Sequence, residues 1–156
     1  MLDLAPPQHA GDAAVRRCWP QVHACSPNEE EASALTGIDI GGKDDALSAA
    51  RKLHESGFEL ACVKLGDGGC VAFSNEGPRS VSVGPINPVD TTGAGDAFSG
   101  ALAVALAESR PRDDALRFAT AAANLAVMRS GSQESYASRD ETDRWAAALG
   151  IEAPNA

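Results

Sequence analysis

The segment from Glu59 to Leu65 (ELACVKL) constrains the fold more than any other part of the sequence. Its interior, Leu60 to Val63, is apolar without a break. A strand with no polar face is covered on both sides, as the strands of parallel sheets are. The segment therefore predicts a layered α/β fold, in which helices pack on a mainly parallel sheet.

The rest of the chain alternates between short extended runs and segments of helical periodicity. Further strands are predicted at 2–5, 21–25, 70–73 and 80–83. Helices are predicted at 12–19, 28–37, 44–55, 95–108, 112–129 and 139–149. Ser138 and Glu141 have the spacing of a capping box at the start of the last helix. The sequence favours one domain over residues 1–156.

The charge balance excludes two classes of partner. Thirteen basic residues oppose twenty-two acidic ones, which gives a formal net charge of −9 over 156 residues. Such a surface repels nucleic-acid phosphates and anionic lipids. No apolar run approaches the ~20 residues of a membrane-spanning helix. We therefore expect a cytoplasmic protein with no nucleic-acid partner and no membrane partner.

The cysteines are predicted to be buried, reduced thiols. No CxxC spacing and no secretory segment is present. The three histidines do not recur near the cysteines at zinc-like spacing, so no His/Cys metal site is expected. The residues concerned are Cys18, Cys25, Cys62, Cys70, His9, His23 and His54.

The run DTTGAGDAF, from Asp90 to Phe98, carries the strongest chemical signal. Its small residues open directly into an apolar-periodic helix. Backbone N–H groups in the first turn of a helix are unpaired, and the helix dipole places positive charge there. The amides of Gly93, Ala94, Gly95 and Asp96 can therefore hold a phosphoryl group. The carboxylate of Asp96 is either a helix cap or a base, and spacing alone leaves both open.

Several segments, in order, resemble the ribokinase-like (PfkB) carbohydrate kinases. The sequence DTTGAGDAFSGAL is similar to the second signature of that family. Residues 28–31 (NEEE) resemble its NxxE motif, 64–69 (KLGDGG) its nucleotide-phosphate turn, and 116–133 its closing helix and loop. The similarity covers nearly the whole chain. It implies a kinase that transfers phosphate from ATP to a sugar hydroxyl.

The resemblance implies roles for particular residues. Asp96 would be the general base, and Gly93, Ala94 and Gly95 the anion hole. Asn28 and Glu31 would help to hold Mg²⁺, largely through water. The same pair also has the spacing of a helix cap, and one carboxylate can serve both roles.

The nucleotide and a monovalent cation are the other ligands that the resemblance implies. Predicted nucleotide-binding residues are Lys64, Gly66, Gly68, Gly69 and Asn124, the last at the adenine or ribose edge. A potassium site would use Asp90, with carbonyl groups nearby. Those carbonyls would belong to Thr92, Ala126, Arg129, Gly131 and Ser135. Asp90 can equally be an ordinary turn residue.

The match covers only the carboxyl-terminal half of the family pattern. The family's sugar-binding half and its β-sheet lid have no counterpart in this sequence, so the sugar cannot be named. We expect a partial domain that is inactive alone and that forms homo-oligomers or pairs with a complementing amino-terminal half. The alternative is a non-catalytic remnant that binds a nucleotide or a partner chain.

Overall fold

The computed structural model describes Met1, Asp3 and residues 12–154. The helices are α1 (Ala13–Cys18), α2 (Glu29–Thr36), α3 (Lys43–Glu55), α4 (Ala94–Ala107), α5 (Arg112–Val127) and α6 (Arg139–Ala146). The strands are β1 (Ala24–Cys25), β2 (Leu60–Lys64), β3 (Cys70–Ser74), β4 (Gly77–Ser82) and β5 (Gly150–Glu152). Short 3₁₀ turns occur at Trp19–Gln21 and Gln133–Ser135.

The described residues form two compact units. The first comprises those within 1–66, 70–80 and 153–156, and the second those within 67–69 and 81–152. A single domain over residues 1–156 stays a prediction.

The strands of the first unit follow one another in the order β1-β2-β3-β4. β1 runs parallel to β2, with Cys25 opposite Ala61. β2 runs antiparallel to β3, from the pair Leu60–Ser74 to the pair Lys64–Cys70. The sheet is therefore mixed. Leu60 to Val63 are at most 2% exposed, as the unbroken apolar run predicts.

The core of the first unit lies between α2, α3 and one face of the sheet. Trp19 and Phe58, whose ring centroids are 5.0 Å apart, pack with Leu53 and Ala61. Full burial of a side chain such as Leu53 contributes ~1.5–3 kcal/mol. A second cluster comprises Ala32, Ala46, Leu47, Ala49, Ala50, Val63 and Val71.

The second unit is built on three helices. α5 packs against both α4 and α6. Phe98 and Leu102 of α4, and Leu116 and Phe118 of α5, are buried. The last residues of β4 belong to this unit, and β5 follows β4 in strand order.

The predicted α/β class is confirmed, and the elements depart from prediction mainly at their ends. α6 stops at Ala146 because the N–H groups of Ala148 and Leu149 turn to carbonyls three residues back. β4 begins at Gly77, in a Gly-Pro pair typical of a turn. β5 was not predicted, since Gly150 follows a helical pattern as a stop signal would. The predicted strand at 2–5 lies, apart from Asp3, outside the described residues.

The thiol prediction holds for three of the four cysteines. Cys25, Cys62 and Cys70 are buried and reduced, and burial raises the pKa of Cys25 to about 12. Cys18 is also a free thiol but is exposed, so the predicted burial is wrong there. It lies at the end of the short helix α1, where Trp19 and not Cys18 is buried. Among the described residues, no helix is long and apolar enough to cross a bilayer.

Candidate active site

Helix α4 begins at a glycine in the left-handed region. Gly93, the N-cap residue, has φ 79°. The first hydrogen bond of the helix runs from the N–H of Ala97 to the carbonyl of Gly93, at 2.9 Å. The N–H groups of Gly95 and Asp96 precede that bond and have no acceptor within the helix. Together with the helix dipole, they form a site suited to an anion.

Gly93 also lies against two hydroxyl groups. A Cβ atom at this position would be 2.9 Å from Ser132 Oγ and 3.2 Å from Tyr136 Oη. Both the positive φ and the lack of space therefore require glycine. Spacing in the sequence does not reveal this contact, because Ser132 and Tyr136 come from the loop between α5 and α6.

Asp96 occupies the third position of its helix, as Glu31 does in α2 and Glu141 in α6. Both glutamates fold back onto the N–H of their own N-cap residue. Glu31 Oε2 accepts from Asn28 at 2.9 Å, and Glu141 Oε2 from Ser138 at 3.0 Å. Asp96 is exposed, and among the described residues it makes no such bond. Asp96 therefore does not close the start of its helix as the two glutamates do.

Asp90 joins the segment that enters α4 to the loop that follows α5. Its Oδ1 accepts from the N–H of Thr92 at 2.9 Å, and its Oδ2 from the N–H of Gly131 at 3.1 Å. Hydrogen bonds with Thr92, and to a lesser extent the one with Gly131, lower the pKa of Asp90. The carbonyl of Val127, at the end of α5, accepts from the N–H groups of Val89 and Asp90 at 2.7 and 3.2 Å. The entry to α4 is therefore fixed from two sides.

The predicted potassium residues are only partly brought together by these bonds. Asp90, Thr92 and Gly131 are directly linked. Ser135 is buried, and its hydroxyl donates to the carbonyl of Ser132 at 2.6 Å. The guanidinium of Arg129 pairs with Glu141 at 2.8 Å, and the carbonyl of Ala126 accepts from the N–H of Arg129 at 3.1 Å.

The turn Asp67–Gly69 lies in the same unit as α4. The N–H of Gly69 donates to Asp67 Oδ1 at 2.8 Å, and the carbonyl of Gly68 accepts from Asn124 Nδ2 at 2.9 Å. A Cβ on Gly68 would lie 3.3 Å from both Val83 and Ile86. These two side chains also line a cavity of about 400 Å³. Two predicted nucleotide residues, Gly68 and Asn124, are thus in contact.

The other predicted residues lie in the first unit. Asn28 and Glu31 form a complete capping box at the start of α2. Lys64 Nζ pairs with Asp3 Oδ2 at 3.1 Å. The N–H of Gly66 donates to Glu29 Oε2 at 3.2 Å, a contact that the motif spacing did not predict.

Comparisons with known proteins show the family of the chain. A family model described as pfkB family carbohydrate kinase matches residues 1–139. Ribokinase from Haemophilus influenzae is 36% identical over 143 residues, which cover 91% of this chain and 45% of that protein. The chain therefore spans about half the length of this relative.

Solved structures show the same fold. Arabidopsis thaliana ribokinase, complexed with ribose and ATP, superposes with a TM-score of 0.71 at 35% identity, over 84% of this chain and 43% of that one. Escherichia coli phosphofructokinase-2, in complex with potassium, superposes with a TM-score of 0.75 at 29% identity, over 86% of this chain and 44% of that one.

Proposed function

Because the chain belongs to the pfkB family of carbohydrate kinases, we propose that it supplies the nucleotide-binding and catalytic half of a kinase. The reaction would transfer the γ-phosphoryl group of ATP to a sugar hydroxyl. The observation that carries this proposal is the start of α4. There an exposed carboxylate, Asp96, directly follows amides that no side chain caps. Of these amides, that of Ala94 donates to the carbonyl of Thr91 at 3.3 Å.

Asp96 is the proposed general base. It takes the proton of the sugar hydroxyl as the hydroxyl oxygen forms a bond to the γ-phosphorus. The bond from that phosphorus to the bridging oxygen breaks, and ADP leaves. A base of this kind contributes ~10²–10⁴ in rate.

The amides of Gly93, Ala94 and Gly95 are the proposed anion hole. Negative charge spreads over the oxygens of the transferred group in the transition state. A fixed donor aimed at such charge contributes ~2.7–4 kcal/mol in oxyanion holes. Glycine at position 93, which the positive φ requires, leaves the start of α4 free of a side chain at this point.

ATP would use the glycine turn. Gly68 would offer a backbone N–H group to a phosphate, and the N–H of Gly69 would do so after leaving Asp67 Oδ1. Val83 and Ile86, which flank Gly68, would offer an apolar wall for the adenine ring of ATP. Gly66 and Lys64 would contribute only after leaving their present partners, Glu29 and Asp3.

The donor set allows magnesium to be held through water. Among the described residues, no three His, Cys, Asp or Glu side chains form a cluster that could enclose a metal. Asn28 Oδ1 and Glu31 Oε2 each accept a hydrogen bond in the α2 cap. Mg²⁺ keeps several of its waters, so this pair fits a hydrated ion. When bound, Mg²⁺ would neutralise charge on the phosphates.

Potassium, the sugar and the partner chain are further parts of the proposal. Asp90 and the carbonyls near Gly131 would hold the monovalent cation, as the complex of phosphofructokinase-2 with potassium suggests. Ribose is the first sugar to test, because two similar proteins are ribokinases. The partner would be a second copy of the chain or a complementing amino-terminal half, in a cytoplasmic enzyme.

Thermal unfolding with ATP and Mg²⁺ tests the proposal. At a ligand concentration about one hundred times Kd, binding stabilises the chain by about 2.7 kcal/mol. Gly95→Asp should abolish this shift, because it places a negative charge where the phosphate binds. The matched control is Gly100→Asp, on the same helix and open to solvent. An unmodified chain that shows no shift at millimolar ATP would contradict the proposal.

A further inference from the structure

The side-chain amide of Asn124 connects two segments of the second unit. Asn124 lies near the end of α5 and is 1% exposed. Its Nδ2 donates to the carbonyl of Thr120, one turn earlier, at 2.7 Å. It also donates to the carbonyl of Gly68, 56 residues away in the sequence, at 2.9 Å. The reverse amide orientation would place Oδ1 against both carbonyls, so the contacts fix which atom is the donor.

The turn packs closely against this amide. Gly68 has φ 89°, and a Cβ on it would lie 2.5 Å from Asn124 Oδ1. The same Oδ1 is buried and has no hydrogen-bond partner among the residues that the structure describes. A Cβ on Gly69 would lie 2.6 Å from the carbonyl of Val81. The turn is therefore held between α5 and the end of β4, and it leaves no room for a side chain.

The resemblance places Asn124 at the adenine or ribose edge, but these contacts favour another role. Both N–H bonds of the amide already have acceptors, and its oxygen is buried beside Gly68, where an added Cβ atom would lie 2.5 Å from it. A base could bind this amide only after the turn had moved away from α5.

We propose that Asn124 is a positioning residue, which holds the turn formed by Gly68 and Gly69 in place for the nucleotide phosphates. This inference rests on the proposed function for its ligand. One turn of α5 then serves two elements, because the carbonyl of Val127 also fixes the segment that enters α4. The end of α5 holds the glycine turn through the Asn124 side chain, and it holds the segment before the proposed anion hole through the Val127 carbonyl.

Hydrogen exchange of the unliganded chain tests the contact itself. Asn124→Ala should speed exchange of the Gly69 amide about tenfold, because the turn loses its bond to α5. Leu125→Ala is the matched control, since Leu125 is a buried neighbour on the same helix. It should leave exchange at Gly69 unchanged relative to the rest of the unit. If Asn124→Ala does not fold, Asn124→Asp removes the same donors in a side chain of the same shape. Equal exchange in variant and parent overturns the proposal.

Calorimetry with two probes separates positioning from direct contact. ATP carries a base, whereas inorganic tripolyphosphate does not, and both are titrated with Mg²⁺. A positioning residue predicts that the Asn124 variant weakens the binding of both probes by the same factor, about tenfold, or ~1.4 kcal/mol. Loss of ATP affinity alone would make Asn124 a base contact and overturn the proposal. If the unmodified chain binds neither probe, the proposed function fails, and hydrogen exchange alone decides the role of Asn124.

Discussion

Helices α2 and α4 start in opposite ways. In α2 the Asn28 side chain accepts from the N–H of Glu31 at 2.8 Å, and the Glu31 carboxylate accepts from the N–H of Asn28. In α4 the N-cap is a glycine, and the acidic residue at the third position, Asp96, stays exposed. Both helices thus carry an acidic residue at the third position. The start of α2 is closed by side-chain caps, whereas the start of α4 is open.

A helix start can either be capped, which adds stability, or be left uncapped, which leaves its amides free to bind an anion. A capping side chain contributes about 1 kcal/mol of stability by satisfying an amide. The open end of α4 lacks this contribution, and the amides of Gly95 and Asp96 have no side-chain cap and stay available to an anion. A closed end can still present its outer oxygens to a hydrated cation. Under the proposed function, phosphate would bind at α4 and hydrated magnesium at α2.

Removing the negative charge of Asp96, at the open start of α4, should have the largest effect on catalysis. In an enzyme completed with the amino-terminal half of Haemophilus influenzae ribokinase, we expect Asp96→Asn to lower kcat by ~10²–10⁴, because proton acceptance is lost. ATP affinity should change little. The matched control is Asp140→Asn, another exposed first-turn carboxylate, in α6. Steady-state kinetics that find Asp96→Asn within a few-fold of the parent would return Asp96 to the role of a cap.

A methyl group at the open start of α4 should have the next largest effect, on stability and on ATP binding. Gly93→Ala forces a left-handed alanine against Ser132 and Tyr136, which costs ~1–3 kcal/mol, and it should abolish stabilisation by ATP. Gly100→Ala, in open space on the same helix, should instead stabilise by ~0.5–1 kcal/mol. Chemical denaturation with and without ATP measures both. Equal effects of the two substitutions would show that the start of α4 is not special.

The local features of this comparison could be predicted from the sequence. Asn28 and Gly37 bound α2, as their cap and stop chemistry indicates, and Leu60 to Val63 form the buried strand. The small residues before α4 indicated a helix start that an anion can approach. These features depend on neighbours within a few positions, where propensity and periodicity act.

The contacts that hold the site together could not be predicted in this way. Asp90 meets Gly131 across 41 residues, and Asn124 meets Gly68 across 56. Both are set by the packing of whole elements, which no local pattern encodes. The sequence predicts Gly93 as a candidate for the anion hole, but it does not predict that Gly93 lies against the Ser132 hydroxyl.

Opening the closed ends should have a smaller effect and should separate capping from metal binding. Asn28→Ala and Ser138→Ala each remove a capping box and should each cost ~0.5–2 kcal/mol of stability. Only Asn28→Ala should also weaken the dependence of ATP binding on Mg²⁺. Titration of Mg²⁺ at fixed ATP measures that dependence. The same Mg²⁺ dependence in both variants would leave the α2 end a cap and nothing more.

The smallest expected effect is the loss of stability at acid pH, when the capping carboxylate at the start of α6 becomes protonated. The backbone N–H of Ser138, then the Arg129 guanidinium, lower the pKa of Glu141 from 4.5 to about 2. Because the folded state holds the charged form, this stabilisation is complete above pH 4.5 and is lost as the pH falls towards 2. Glu141→Gln should therefore unfold at a lower temperature than the parent at pH 7, and the two melting curves should converge between pH 4.5 and 2. Since both partners are partly exposed, added salt should weaken only the share due to Arg129. A difference that stays constant over this pH range would show that the capping carboxylate is not held in its charged form.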